Sequence, residues 1–419
     1  MSYIYRYLQS NLSRKIGDFS VLLITGPRRA GKSTLAKKLL HEWGGGSYQS
    51  FDTPEEQWVL KNDPQLFVQN LKLPAVLDEI QNVPEIFPYL KSLVDSHPSS
   101  EIRLILTGSQ SFSMMRNVNE SLAGRILIKE LLPFTATEAL QIDVQEVKAN
   151  FLSLLKGEEL TRLTTTGSPC SVDHAILSGG YPSVWNLSGS EHRNDWYDSY
   201  CQTYVERDVR QLVNIKDLAL YQKFISLAAH RSAKLINYSE LGKDISVSYK
   251  TSKNYLSILE ASYLWTGLPA YEKKIEARLV KASKGIFIDS GLCSYLNGIS
   301  DEQALSRFAN RDFLFETWCI AELLKLAKTF QNTLKFYHYR RSNSFEVDCV
   351  LELAGKLIPI EIKNSAKISK DWAAGIGDFA RQTKDAYSGY GYVISRYDQA
   401  VEIAPNVKNI PISYLTSCA

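Results

Sequence analysis

Residues 26–33 read GPRRAGKS directly after the apolar run Val21, Leu22, Leu23 and Ile24. Two glycines with four residues between them, then lysine and serine, at the end of a buried strand, form the pattern of a phosphate-binding loop. Gly26 and Gly31 allow backbone angles that a side chain forbids, so successive N–H groups turn inward around phosphate oxygens. The helix expected to open at Lys32 points its positive end at the same anion. Lys32 is placed to reach the β- and γ-phosphates, and the Ser33 hydroxyl to ligate Mg²⁺. The whole loop (Gly26, Pro27, Arg28, Arg29, Ala30, Gly31, Lys32, Ser33 and Thr34) is therefore expected to cradle a nucleotide, with ATP as the expected one.

Ala75, Val76 and Leu77 end in Asp78 and Glu79. An apolar strand closed by two acids suits Asp78 for the Mg²⁺ shell and Glu79 for orienting or deprotonating the attacking water. A third buried strand, RLILT at 103–107, ends in Gly108, Ser109 and Gln110. In a doubly wound sheet such strand ends share the ligand edge, so Ser109 or Gln110 is placed to sense the γ-phosphate. Arg125, in the stretch ESLAGR, is a candidate arginine finger; the competing reading is a salt-bridged surface arginine.

A second constellation lies near the C-terminus. FEVDCVLE at 345–352 alternates as a strand, Gly355 marks a turn, and LIPIEIK at 357–363 forms the next strand. Period-two geometry puts Glu361 and Lys363 on one face. Asp348 lies on the paired strand, and Glu316 on an amphipathic helix expected over 312–328. Carboxylates and a lysine at these spacings match the metal-binding, water-activating site of PD-(D/E)xK nucleases. Asp348, Glu361 and the Ile362 carbonyl would hold Mg²⁺, Lys363 would steady the nucleophile, and Glu316 would be an outer ligand. The run around Glu361 and Lys363 is strongly apolar, where unpaired charge is expensive.

These elements need a frame. At 419 residues the chain is too long for one core. Its 44% hydrophobic and 22% charged content is that of a globular protein. A net charge of +3 is too weak to argue for nucleic acid by itself, so any basic surface must be local. The six cysteines lack C-x-x-C spacing, which fits a reducing cytoplasm without disulfides or zinc. No apolar stretch approaches the ~20 residues of a membrane span.

Four segments are expected: an ATPase domain at 1–160, a helical connector at 161–217, a winged helix at 218–295, and a nuclease-like domain at 296–419. The linker composition of 161–171 marks the first boundary. Glu206, Arg207, Asp208 and Arg210 read as a solvated connector face. In the third segment, helices are expected at 220–230, after Ser239 as a cap, and at 249–260, with wing strands near 264–265 and 285–288. Lys250, Ser252, Lys253 and Asn254 cluster at the start of the third helix, the end that reaches base edges in helix-turn-helix proteins. From Arg231 to Lys284 there are ten Lys/Arg against five Asp/Glu, a local excess suited to phosphate contacts.

GPRRAGKST, VLDEIQNVPE, LTGSQ and LAGR resemble the bacterial and archaeal AAA+-type ATPases that join a P-loop domain to a C-terminal domain of unknown function. NYSELGKDISVSYKTSKNYLSILEASYLW and GIFIDSGL resemble that family's winged-helix segment, and FEVDCVLE and PIEIKNS its restriction-endonuclease-like C-terminus. The resemblance covers nearly the whole chain. It implies an α/β P-loop ATPase domain, a winged helix and a C-terminal α/β nuclease-like domain, with nucleotide at residues 26–34 and hydrolysis through Asp78 and Glu79. It also implies ring-like homo-oligomers, a hexamer included. Asp348, Glu361 and Lys363 are all present, whereas no Pro-Asp precedes the hairpin. The residues leave three functions open: an ATPase acting on double-stranded or branched DNA, a nucleotide-switched protein-binding ATPase, and an ATP-gated Mg²⁺-dependent endonuclease.

Overall fold

The computed structural model describes residues 3–15, 19–97, 103–109, 118, 120–164, 170–204, 217–274, 276, 278, 281–342 and 345–419. Gln110, Glu206, Arg207, Asp208, Arg210 and linker positions 165–169 lie outside the described residues. The chain divides into two compact units: Tyr5–Pro133 with Ala261–Tyr263, and the remainder.

The first unit is built on five parallel strands: β1 (Val21–Thr25), β2 (Ser47–Ser50), β3 (Ala75–Asp78), β4 (Leu104–Thr107) and β5 (Ile126–Glu130), in the order β2-β3-β4-β1-β5. β1, β3 and β4 are wholly buried, as expected for parallel strands covered on both faces. Their period of two sorts side chains into two cores. Leu22, Ile24, Val76 and Ile105 meet Leu35, Ala36 and Leu39 of the helix Lys32–Glu42 on one face. Val21, Leu23, Leu77 and Leu106 meet Phe87 and Leu90 of the helix Phe87–Asp95 on the other. Because the strands run parallel, β1, β3 and β4 all end on one edge.

This unit stops at Pro133, short of the expected boundary near 160. The helix Val144–Lys156 packs in the other unit, where Asn150 Nδ2 donates to the carbonyls of Thr161 (2.6 Å) and Tyr414 (2.9 Å). Nearby, Lys325 Nζ donates to Phe134 O (3.0 Å) and Glu322 Oε2 accepts the Ala136 N–H (2.8 Å).

In that second unit, helices Leu218–His230, Tyr238–Asp244 and Tyr249–Ala261 precede a two-stranded antiparallel ribbon, β6 (Trp265–Leu268) and β7 (Lys284–Phe287). The middle helix is capped by Asn237, whose Oδ1 accepts the N–H groups of Ser239 and Glu240, and not by Ser239 itself. The helix Arg311–Phe330 then leads into a six-stranded sheet: β8 (Lys335–Ser342), β9 (Phe345–Leu353), β10 (Lys356–Lys363), β11 (Gly391–Ser395), β12 (Val401–Ala404) and β13 (Val407–Pro411), ordered β12-β13-β11-β10-β9-β8. β9 and β10 form the expected hairpin through Ala354 and Gly355, both at positive φ, the backbone of a tight primed turn. The ribbon is tied to this sheet at β8, where Tyr271 N–H donates to His338 O (2.7 Å) and His338 N–H to Pro269 O (3.0 Å).

His338 is 2% exposed, and its Nε2 lies 3.0 Å from Ala282 O. Burial lowers its pKa to about 4, with the Lys284 ammonium adding to the effect. The unfolded chain therefore takes up the proton first, and stability falls as pH drops from about 6.5 toward about 4. His338→Gln should flatten this acid limb, by up to ~3 kcal/mol, in urea titrations between those pH values; an unchanged limb would show that His338 does not drive it.

Candidate functional site

The loop after β1 is shaped by a close approach that only glycine tolerates. Gly26 has φ +144°, and a Cβ on it would lie 2.1 Å from the Leu131 carbonyl oxygen. Leu131 is fixed in turn by donating its N–H to Thr25 O (2.8 Å). Arg6, 5% exposed, braces the loop from beneath, its guanidinium donating to Ala30 O (2.8 Å) and Leu132 O (2.7 Å). Gly31, at φ +93°, is the N-cap of the helix Lys32–Glu42 and brings no side chain to it, so the first helical N–H groups remain available to an anion. Lys32 is buried and donates to the carbonyls of Gly26 (3.0 Å) and Pro27 (2.9 Å), which folds its ammonium over the loop. Arg28 is half-buried, and Arg29 and Thr34 are exposed.

Asp78 gathers the other parts. It is 4% exposed at the end of β3, and its Oδ1 accepts hydrogen bonds from Ser33 Oγ (3.0 Å) and Thr107 Oγ1. Its Oδ2 accepts from the Tyr48 hydroxyl at 2.5 Å. Burial, then the Asp78 charge, raises the Tyr48 pKa, so the phenol keeps its proton and remains a donor. The side chains expected at the metal thus meet directly. One hydroxyl and one carboxylate, both hard oxygens, suit Mg²⁺ whose shell is completed by water and nucleotide phosphates.

Glu79 follows in the left-handed region (φ 58°, ψ 45°), rare for a non-glycine residue and concentrated at functional sites. Its N–H donates to Thr107 Oγ1 (3.3 Å), and its carboxylate accepts from Gln81 Nε2, which also reaches Ser109 Oγ at 3.4 Å. The ends of β3 and β4 are therefore cross-linked through Glu79, Gln81 and Ser109. Arg125 forms an exposed ion pair with Asp95 (2.5 Å). Sequence reasoning missed Arg6, Tyr48, Thr107 and Gln81. Only Thr107, one residue before Gly108 at an apolar strand end, carried a local signal.

The second constellation also assembles, with one residue the sequence did not suggest. Lys363 Nζ lies 2.6 Å from Glu361 Oε1, on the expected common face, and Asp348 Oδ2 accepts the Ile362 N–H at 2.9 Å. Glu316 is buried beside them. Lys284, from β7, reaches into the cluster, its Nζ 2.7 Å from Glu316 Oε1 and 3.2 Å from both Glu346 Oε1 and Asp348 Oδ1. Burial pushes Glu316 up to about 8, with the Asp348 charge adding and Lys284 only partly offsetting. Burial works against the ammonium of Lys284, but the three carboxylates outweigh it and hold its pKa well above the ordinary lysine value. These residues line a cleft of about 450 Å³ together with Asp312, Glu361, Lys363, Asp371 and Trp372. Among the described residues no group of three His, Cys, Asp or Glu side chains is placed to hold a metal ion. Each carboxylate expected at Mg²⁺ carries an ammonium partner here, Asp348 that of Lys284 and Glu361 that of Lys363.

On the helix Tyr249–Ala261, Lys250, Lys253 and Asn254 are exposed. Ser252 is not: it is fully buried, its Oγ donating to Ser248 O (3.3 Å) and lying against Gly242. No helix among the described residues is long and apolar enough to cross a membrane.

Comparison with known proteins agrees with the first site. Residues 18–140 match a family described as an AAA domain, whereas 171–303 and 311–415 match two domains of unknown function, DUF8612 and DUF4143. An uncharacterized protein of Mycobacterium tuberculosis is 28% identical over 371 residues, covering 88% of this chain and 76% of that protein. One from Methanocaldococcus jannaschii is 21% identical over 367 residues, covering 83% and 75%. Among solved structures, a Walker-type ATPase of Pyrococcus abyssi aligns with TM-score 0.42 and 15% identity over 70% of this chain and 96% of that one. The Thermotoga maritima RuvB Holliday junction branch migration motor aligns with TM-score 0.32 and 17% identity, over 62% and 89%. The AAA-domain match and the loop geometry together support a P-loop ATPase-like N-terminal unit.

Gly26→Ala should therefore lose nucleotide binding and cost ~2 kcal/mol or more of stability. Fluorescent-nucleotide titration and urea denaturation check this; binding at wild-type affinity would show that the loop does not depend on the Leu131 approach.

Proposed function

We propose that the chain is a Mg²⁺-dependent ATP hydrolase whose nucleotide cycle acts on DNA held by its second unit. The observation that carries the hydrolase reading is the 3.0 Å hydrogen bond between Ser33 Oγ and Asp78 Oδ1, which brings a loop hydroxyl and a strand-end carboxylate to one point. Ser33 and Asp78 would hold Mg²⁺, which would supply positive charge to the nucleotide phosphates. The chain's own residues do the rest. Lys32 exchanges the Gly26 and Pro27 carbonyls for phosphate oxygens. Glu79, held through Gln81, orients the attacking water, and Ser109 sits within the same hydrogen-bonded chain.

The DNA reading is supported by the exposed Lys250, Lys253 and Asn254 at the start of a helix that follows two others and precedes a ribbon, the order of a winged helix. Ser252 takes no part. The cleft around Glu361 is a poor match for a polyanion, since its carboxylates outnumber its two lysines. That balance, with Lys284 in the cluster, counts against metal-dependent cleavage there. It favours a nuclease-like fold that does not cut. In a ring-like oligomer Arg125 would serve a neighbour's site; leaving its exposed Asp95 pair would cost only ~0–1 kcal/mol.

The test is ATP turnover by wild type and Glu79→Gln, with and without duplex, single-stranded and four-way-junction DNA. Glu79→Gln should lose ~100-fold or more. One DNA form should stimulate wild type, and Lys250→Glu/Lys253→Glu should remove that stimulation while sparing basal turnover. Turnover indifferent to every DNA form would instead favour a nucleotide-switched, protein-binding ATPase, and absence of turnover would sink the hydrolase reading itself.

A further inference from the structure

The lysine in the carboxylate cluster is held there by its backbone. Lys284 opens β7, pairs with Leu268 of β6 on one side and bridges to Leu235 on the other. Gly285 N–H donates to Lys234 O (3.0 Å) and Ile236 N–H to Ser283 O (2.8 Å), extending the clamp to both neighbours. The side chain it projects is 1% exposed. Its ammonium donates to Glu316 Oε1 and Asp348 Oδ1 and forms an ion pair with Glu346.

Buried Glu316 and Asp348 converge on one point with the part-exposed Glu346, and positive charge is favoured there because buried unpaired anions are strongly disfavoured. Among the described residues these side chains are not placed as a metal-holding trio; with the ammonium gone, the same oxygens would have to close to about 2.0–2.6 Å to take a divalent cation. The two cannot share the position, since an ion and an ammonium in contact repel strongly at low effective dielectric. A neighbouring carboxylate in the same cleft is also short of partners. Glu361 is 9% exposed and lines the same cleft, yet its Oε2 is buried and has no hydrogen-bond partner among the described residues.

We propose that Lys284 is a tethered cation standing where a divalent metal ion would be held, so that this cluster is closed to metal unless Lys284 withdraws. Its role is positioning and exclusion: it offsets part of the charge of Glu316, Glu346 and Asp348 and fastens the β6–β7 ribbon to the β8–β13 sheet. The inference is independent of the ATPase reading, and its test is made without nucleotide.

The experiment is titration of the full chain with Mn²⁺, followed by calorimetry and by the electron paramagnetic resonance signal of the free ion. Wild type and Asp348→Asn should bind Mn²⁺ alike. Lys284→Met, which keeps the length and removes the charge, should gain one Mn²⁺ site at least about tenfold tighter than any in wild type. Lys284→Met/Asp348→Asn should lose it again. Mn²⁺ binding in wild type that disappears in Asp348→Asn would overturn the proposal, and this comparison stands even if Lys284→Met does not fold. A folded Lys284→Met with no added site would overturn it equally.

Discussion

Asp78 is the point on which the nucleotide-binding unit turns. A carboxylate that is 4% exposed needs hydrogen-bond donors around it, and here the donors are hydroxyls from three separate segments: Ser33, Tyr48 and Thr107. They meet because β1, β3 and β4 are parallel and adjacent, so that their ends share one edge. Everything else in the unit holds that edge in register. The Gly26 backbone must press against Leu131 for the loop to turn, and Arg6 must cross-brace Ala30 and Leu132 for it to stay turned.

The second unit meets the same physical problem in a different way. Glu316, Glu346 and Asp348 are paired with one lysine rather than solvated by hydroxyls. The difference has a chemical consequence. On the proposals above, hydroxyls leave Asp78 open to a cation arriving with a nucleotide, whereas an ammonium offsets the charge of its partners.

Much of this was legible in the sequence where the signal was local. The loop, the Asp78–Glu79 pair and the Glu361–Lys363 face each lie within a few residues of one strand, and the hairpin through Gly355 carried its own turn chemistry. Lys284 and Tyr48 were not legible, because each reaches its carboxylates across tens of residues and carries no spacing that marks it. Ser252 was misplaced for a different reason. It lies four and seven residues before Leu256 and Leu259, so the helical period that buries those leucines buries it too. The end of the first unit at Pro133 depends on tertiary contacts such as those of Asn150, which composition does not reveal.

The most direct test of the account is a double-mutant cycle on Ser33 and Asp78, read as Mg²⁺-ATP turnover by Ser33→Ala, Asp78→Ala and the double variant. If the two side chains act as one metal-holding unit, each single change removes most of the activity and the double loses little more than the worse single. Strictly additive losses, or a single variant that turns over ATP at the wild-type rate, would contradict it.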